Sequence, residues 1–493
     1  MSASKDLDDG STLRESEITE ALISKEKSTA VLIASNSSGN DGKGSILVVI
    51  LSTFVAVSGS FEFGSAVGFS SPTQSAIRSD LGLSLSEYSV FGSILTIGSM
   101  IGAIMCGSLA DYVGRKGAMR IAAVFSILGW IAISFSEAAW TLDIGRLSVG
   151  YGIGVLSYVV PVYIAEITPK HLRGGFTTVN QLMIVFGASV AFILGTILTW
   201  RVLTVTGIVP CLILLLGLFI VPESPRWLAK LGRQQEFEVA LRRLRGKEAD
   251  ISEEAVEIEE YIKTIDSLPQ VTLIDLFQRK YAHPLIVGAG LIALQQFGGC
   301  NGIGFYASET FVSAGFSSTV GTIAMASIQV PITAVGALLM DNCGRRPLLL
   351  ISATGTCMGC LLVAISFVLE AHDSLTKLSP ILALSGILVF SASFSIGMGG
   401  IPWVLMSEIF PINVKGTAGS LVNLVHWFGS WAMTFAYNFF MSWSRAGTFF
   451  AFSAVSAATV LFVAKLVPET KGRTLEEIQA SMDHASSGKS SMH

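Results

Sequence analysis

Asp111-Tyr112-Val113-Gly114-Arg115-Lys116 returns 230 residues later as Asp341-Asn342-Cys343-Gly344-Arg345-Arg346. Each hexapeptide is a short polar break between long apolar runs. Two further pairs keep the same order. Ala165-Glu166-Ile167-Thr168-Pro169, followed by Arg173-Gly174, returns as Ser407-Glu408-Ile409-Phe410-Pro411 with Lys415-Gly416. Pro222-Glu223-Ser224 returns as Pro468-Glu469-Thr470, and these two offsets are 242 and 246 residues. Self-similarity in one order at one long period marks a duplicated unit. Both copies face the same way, which suits two bundles rocking about a central site.

The apolar runs decide what kind of unit is duplicated. The chain has 493 residues, 51% hydrophobic and only 14% charged, with a mean hydropathy of +0.62. A soluble protein would carry roughly 25% charged residues, so most of this surface is expected to face lipid. Runs of about 20 apolar residues, enough to cross a bilayer, fall near 46–70, 87–110, 117–136, 140–164, 176–198 and 202–221. A second set falls near 284–312, 318–340, 348–370, 379–405, 417–440 and 446–467. The expected fold is all-α: twelve membrane helices in two pseudo-symmetric six-helix bundles, 44–221 and 283–467. Residues 222–282 form a polar linker with amphipathic helices at Gln234–Arg245 and Ser252–Ile265. Residues 1–43 and 468–493 read as polar tails, the first disordered, with no secretory signal peptide at its start. Of the 32 Lys and Arg, 27 fall on the side of the tails and linker, against Arg78, Arg201, Lys377 and Arg445 on the other. The positive-inside rule then puts both termini in the cytoplasm.

Enzyme chemistry finds no foothold. No HExxH, GxSxG or P-loop occurs. Cys357 and Cys360 form a CxxC inside an apolar run without further ligands nearby, so packing is the plainer reading.

The ordered motif set resembles the major facilitator superfamily and, within it, the sugar porter family. The superfamily's mark is the pair of DxxGRK/R loops. The sugar-porter marks are Gly145-Arg146 with Gly150, Pro222-Glu223-Ser224-Pro225-Arg226, Gln295-Gln296 with Asn301, Ile401-Pro402-Trp403, and Pro468-Glu469-Thr470-Lys471-Gly472. Phe61-Glu62-Phe63-Gly64-Ser65-Ala66-Val67-Gly68-Phe69-Ser70-Ser71-Pro72 is similar to the plant branch named for early response to dehydration. The resemblance implies monosaccharide transport, with hexoses such as glucose or fructose foremost. A non-transporting sugar sensor on the same fold is the rival reading. The partners implied are a small sugar, the lipid bilayer and, for a coupled carrier, protons. No nucleic acid, cofactor or metal is expected, and a monomer suffices. A vacuolar or a plasma membrane would suit the branch.

A sugar is a neutral ring of hydroxyls, so its water bonds must be replaced by fixed donors and acceptors without a charge to desolvate. Amides and indoles do this, and an indole also covers the apolar ring face. The resemblance places such contacts at Gln181, Gln295, Gln296, Asn301, Gln329, Trp403 and Trp427. Ser395 stands where the family often has an acid, and His426 where it usually has Asn or Gln. The first span of each half reads as interrupted by glycine, at Gly59, Gly64 and Gly68 and at Gly298, Gly299, Gly302 and Gly304, which points to a substrate site.

Glu166 and Arg173 are seven residues apart at the cytoplasmic mouth, and Glu408 and Lys415 repeat that spacing. With Arg115 and Arg345 they are expected to form ion pairs between the bundles that open and close the inner gate. Asp111 is expected to brace its loop. Arg146 is a charge inside a span, hence a functional candidate. Coupled relatives face the matching Arg with an Asp; Ala66 stands there instead, which favours facilitated diffusion. Glu62, one helical turn earlier on the same face, keeps proton symport open by pairing with Arg146 or titrating.

Overall fold

The computed structural model describes residues 42–169, 172–246, 249–267, 274–370, 378–411, 414–473 and 477. The tails expected at 1–43 and 468–493 therefore lie mostly outside the described residues. The first half runs through α1 (Gly42–Leu81), α2 (Leu85–Ser134), α3 (Ala139–Ile167), α4 (Arg173–Gly195) and α5 (Trp200–Gly217). Three shorter helices follow: α6 (Pro225–Lys230), α7 (Gln234–Arg245) and α8 (Ser252–Ser267). The second half holds α9 (Arg279–Phe297), α10 (Cys300–Ser313), α11 (Ser318–Cys343) and α12 (Arg345–Glu370). It ends with α13 (Ser379–Ser393), α14 (Ile401–Ile409), α15 (Lys415–Trp443) and α16 (Arg445–Leu466).

By length and composition, ten helical stretches among the described residues could cross a membrane. One of them, α2, is two passes. Its first limb runs parallel to α3, since Gly98 packs on Leu147 and Gly102 on Tyr151 and Val155. Its second limb runs antiparallel, since Gly129 packs on Gly145 and Ala122 on Gly152. The chain must reverse between them, and Gly114 does so with φ +82°. Counting α2 twice and adding α15 makes twelve long passes. The α15 helix falls short on hydropathy because Asn423, His426 and Asn438 interrupt it. These are residues an inward-facing helix can carry.

The cores show how the halves meet. One cluster of buried side chains takes members from both, with Phe69, Tyr88, Phe91 and Trp130 beside Tyr306, Phe311, Phe390 and Tyr437. Two others are confined to one half each: Val49, Ala118, Tyr163 and Leu218 in the first, and Leu291, Leu348, Leu405 and Val463 in the second. The shared cluster lies at the end remote from the tails. Ser71 Oγ lies 3.0 Å from Ser308 Oγ and accepts from the Ser308 N–H at 2.9 Å. Asn438 Nδ2 donates to Ser89 Oγ at 2.9 Å. The halves are therefore joined at the far side and carry separate cores on the tail side.

Candidate sugar site and the clusters around it

Helix breaks position the central residues. The α9 helix stops at Gly298, and Gly299 adopts φ +88° with Phe452 packed where a side chain would stand. The break leaves Gln295 and Gln296 on the last turn of α9 and Asn301 on the first of α10. A second break follows α13, where a widened turn at Phe394–Met398 leads through Gly399 and Gly400 into α14, with Pro402 in its first turn. Ser395 sits in that turn, and Trp403 follows it. By contrast α1 runs unbroken, correcting the expected interruption. Its glycines serve packing: a Cβ at Gly64 would lie 1.8 Å from the Ile184 carbonyl of α4.

Gln296 is the hub. It is 1% exposed, and its Nε2 donates to Gln295 Oε1 at 2.9 Å and meets His426 Nδ1 at 2.9 Å. Its Oε1 accepts from Asn301 Nδ2, which also donates to Ser430 Oγ at 2.8 Å. Gln295 Nε2 donates to the Met398 carbonyl beside the second break. The His426 ring stands edge-on to both Trp403 and Trp427, each at 5.0 Å between centroids. Trp427 meets Phe63 of the other half at 5.8 Å. It is 3% exposed, yet its indole N–H has no hydrogen-bond partner.

The structure thus gathers Gln295, Gln296, Asn301, Trp403, His426 and Trp427. Gln181 approaches from the first half, with its Cγ 3.9 Å from where a Cβ on Gly400 would stand. Gln329 is half-buried on α11, and its side chain makes no hydrogen bond to the cluster among the described residues; its backbone carbonyl accepts from Thr333 Oγ1 at 2.7 Å. Ser430 and the Met398 carbonyl were not anticipated. Ser430 lies one turn beyond His426 and Trp427, which is the signal that could have found it.

Behind the site, Glu62 is fully buried. Its Oε1 accepts from Trp130 Nε1 at 2.6 Å, and its Oε2 has no partner. Arg146 is also fully buried, but it donates to the Ala66 carbonyl at 2.8 Å and to Ser70 Oγ at 2.5 Å. Its guanidinium lies over the Phe69 and Phe91 rings at 5.5 and 5.1 Å. Glu62 and Arg146 form no ion pair here. The α1 backbone at Ala66 takes the place of a carboxylate.

On the tail side the three repeated motifs converge, once per half. Arg115 forms a two-pronged pair with Glu166, Nε to Oε2 at 2.9 Å and Nη2 to Oε1 at 3.0 Å. Arg345 Nη2 pairs with Glu408 Oε1 at 2.9 Å, and Thr470 Oγ1 donates to Glu408 Oε2 at 2.6 Å. These pairs run within each half, and among the described residues none of them bridges the halves in this state, as an open inner gate would leave them. The cause is local. Each Arg follows a glycine in the left-handed region, Gly114 or Gly344 (φ +89°), which turns it toward the neighbouring helix of its own bundle. Lys415 Nζ likewise donates to the Ser407 carbonyl of its own half at 2.8 Å. Arg173 lies within electrostatic reach of Arg226, Arg245 and Glu254 of the linker. Asp111 accepts from Arg115 at 3.3 Å and Lys230 at 2.9 Å, bracing loop to linker.

The third motif seals each turn. Glu223 accepts from the N–H of Lys116 at 3.2 Å and of Ser224 at 2.8 Å. Glu469 accepts from the N–H groups of Arg345, Arg346 and Thr470 at 3.0 Å each and of Lys471 at 2.9 Å. These carboxylates cap the unsatisfied N–H groups that open the next pass. A Cβ on Gly114 or Gly344 would strike them, at 2.7 and 2.8 Å. Partial burial pushes the Glu469 carboxyl up, but the four N–H donors outweigh it and hold the group below the ordinary glutamate value. At Glu223 burial wins over two donors and pushes it above.

Comparison with known proteins agrees with this geometry. The family described as "Sugar (and other) transporter" matches residues 52–482. Sugar transporter ERD6-like 16 of Arabidopsis thaliana is 60% identical over 437 residues, covering 88% of this chain and 91% of its own. Sugar transporter ERD6-like 7 of the same plant is 57% identical over 433 residues, covering 88% and 94%. Among solved structures, the xylose transporter XylE of E. coli in its inward-open conformation gives a TM-score of 0.73 at 26% identity, covering 88% of this chain and 99% of that one. XylE, described as a major facilitator superfamily proton:xylose symporter, bound to 6-bromo-6-deoxy-D-glucose gives 0.71 at the same identity and coverage. With repeats, helix breaks and amide cluster all in place, the chain belongs to the sugar transporter family of the major facilitator superfamily.

Proposed function

We propose that the protein carries a monosaccharide, a hexose such as glucose or fructose, across a vacuolar or plasma membrane by alternating access to one central site. The observation that carries this reading is the buried Trp427 N–H without a partner, set among Gln296, Asn301 and His426. A buried donor left unpaired costs about 1–3 kcal/mol, and a sugar hydroxyl would accept from it. The cluster holds amides, rings and a hydroxyl but no carboxylate or guanidinium, which suits a neutral solute. Gln181 and Trp403 would complete the enclosure from either half, with Gln329 further along the path. The Lys and Arg excess puts the tail side in the cytoplasm, so separate cores on that side correspond to an inward-facing state. The Arg115–Glu166 and Arg345–Glu408 pairs would then keep each half rigid while the halves rock.

Facilitated diffusion is the mode favoured. Arg146 bonds to a backbone carbonyl and a serine, not to a proton-carrying group. One observation favours a second reading, proton symport: the Glu62 Oε2 is enclosed without a partner, where a proton could be held. A competition panel of hexoses, pentoses and polyols in reconstituted vesicles, run with and without a pH gradient, tests both. Accumulation of sugar against its gradient, lost in Glu62→Gln while exchange persists, overturns facilitated diffusion. Competition by none of these solutes overturns the substrate class.

A further inference from the structure

We propose a second, outer sugar-binding station centred on Gln74, buried in this state and uncovered when the far side opens; it rests on the reading of the protein as a sugar carrier. Gln74 is 2% exposed, and neither its Nε2 nor its Oε1 has a hydrogen-bond partner. A primary amide offers two donors and two acceptor sites, so this is a large unmet demand in a protein whose buried polar groups are mostly paired.

The direction of the side chain follows from α1. Phe63 touches Trp427 and Ser71 touches Ser308, so both mark the face of α1 that meets the second half. At 3.6 residues per turn, position 74 falls between the directions of 63 and 71. Gln74 therefore lies on the seam between the halves. Hydroxyls stand about one turn away on the same seam. Ser308 Oγ is 3.0 Å from Ser71 and 3.1 Å from Thr322 Oγ1, and Thr322 is fully buried. Ser71, Ser308 and Thr322 thus form an uncharged group of hydroxyls about one helical turn from Gln74 along α1, and together with its amide they offer the chemistry of the central cluster. Along α1 Gln74 stands roughly 16 Å from Phe63, taking about 1.5 Å per residue, which is too far for one hexose to span both. Closing the far side buries the group with its amide unmet. Opening it exposes the amide to whatever approaches from that side, and a ring of hydroxyls can satisfy both ends of it.

Gly92 supplies the tool for the test, because a Cβ there would lie 2.5 Å from Tyr306 Oη across the seam. Gly92→Trp should hold the far side open. Saturation-transfer NMR of D-glucose on Gly92→Trp reports both stations. On Gly92→Trp with Gln296→Leu it reports the outer one. The expected result is a residual signal in the double variant, reduced about three- to ten-fold by adding Gln74→Leu and kept by Gln74→Asn, as loss of one or two hydrogen bonds predicts. Thermal unfolding of each variant confirms folding. A residual signal indifferent to Gln74→Leu, or no residual signal at all, overturns the outer station while leaving the central site standing. No signal on Gly92→Trp with Gln296 intact from any of glucose, fructose, a pentose or a polyol overturns the sugar reading itself.

Discussion

Replacing Trp427 by Phe separates the cost of the central site from its use. The ring is buried against Phe63 and His426, and only its N–H lacks a partner. The substitution keeps an aromatic ring there, loses some packed area and deletes the orphan donor. Lost area costs about 1–2 kcal/mol at the usual value per buried carbon. Removing an unpaired buried donor returns about 1–3 kcal/mol. The two nearly cancel, so stability should stay within about 1 kcal/mol of the parent. Sugar binding has no such compensation. Losing one neutral hydrogen bond, worth about 1 kcal/mol, should weaken affinity about five-fold, since 1.4 kcal/mol is ten-fold. The assay is a pair of measurements on purified protein: thermal unfolding in detergent, and half-saturation of glucose exchange in liposomes. A Trp427→Phe protein with unchanged melting and unchanged half-saturation would refute the assignment of the indole N–H to the sugar.

The two capping glutamates should respond to pH with opposite slopes. Glu469 lies below its ordinary value when folded, so its contribution is present at neutral pH and fades as pH falls through that folded value. Glu223 lies above it, so its contribution is present at low pH and fades as pH rises through the folded value. Melting of Glu469→Gln should therefore fall furthest behind the parent at neutral pH, and that of Glu223→Gln at acid pH; parallel curves would count against the capping geometry. Gly344→Ala should destabilise by about 1–3 kcal/mol, because the backbone is left-handed there and Glu469 fills the space, whereas Gly416→Ala, which meets nothing within 4 Å, should be near neutral in the same melts. Glu166→Gln should lower transport rate more than affinity, since it leaves the amide cluster intact; a rise in half-saturation alone would argue against a role in moving the half.

How much of this was legible in the sequence depended on distance along the chain. The repeated hexapeptides, the capping Pro-Glu pairs and the glycine break before Asn301 are local signals, and each marks a real turn, cap or break. Choice of partner is not local. Arg115 and Glu166 are 51 residues apart, and the sequence offered no means of deciding whether Arg115 would face its own half or the other. The left-handed Gly114 decides it. Trp130 and Glu62 are 68 residues apart, so nothing in the sequence showed that an indole would take one carboxyl oxygen while the Ala66 carbonyl took Arg146. Glycine was misleading in α1, because Gly64 and Gly68 can mean either a break or a close approach, and here α4 presses against them. The amide cluster was legible through resemblance, whereas Ser430 and the Met398 carbonyl entered only when the breaks brought them near.

Counterflow of labelled D-glucose into sealed liposomes holding the purified protein, preloaded with unlabelled sugar, goes most directly to the central claim. The account predicts a transient rise of label above the level of protein-free vesicles, diminished in Gln296→Leu. Absence of any transient for every monosaccharide and polyol tried, from protein that melts cooperatively, would contradict it.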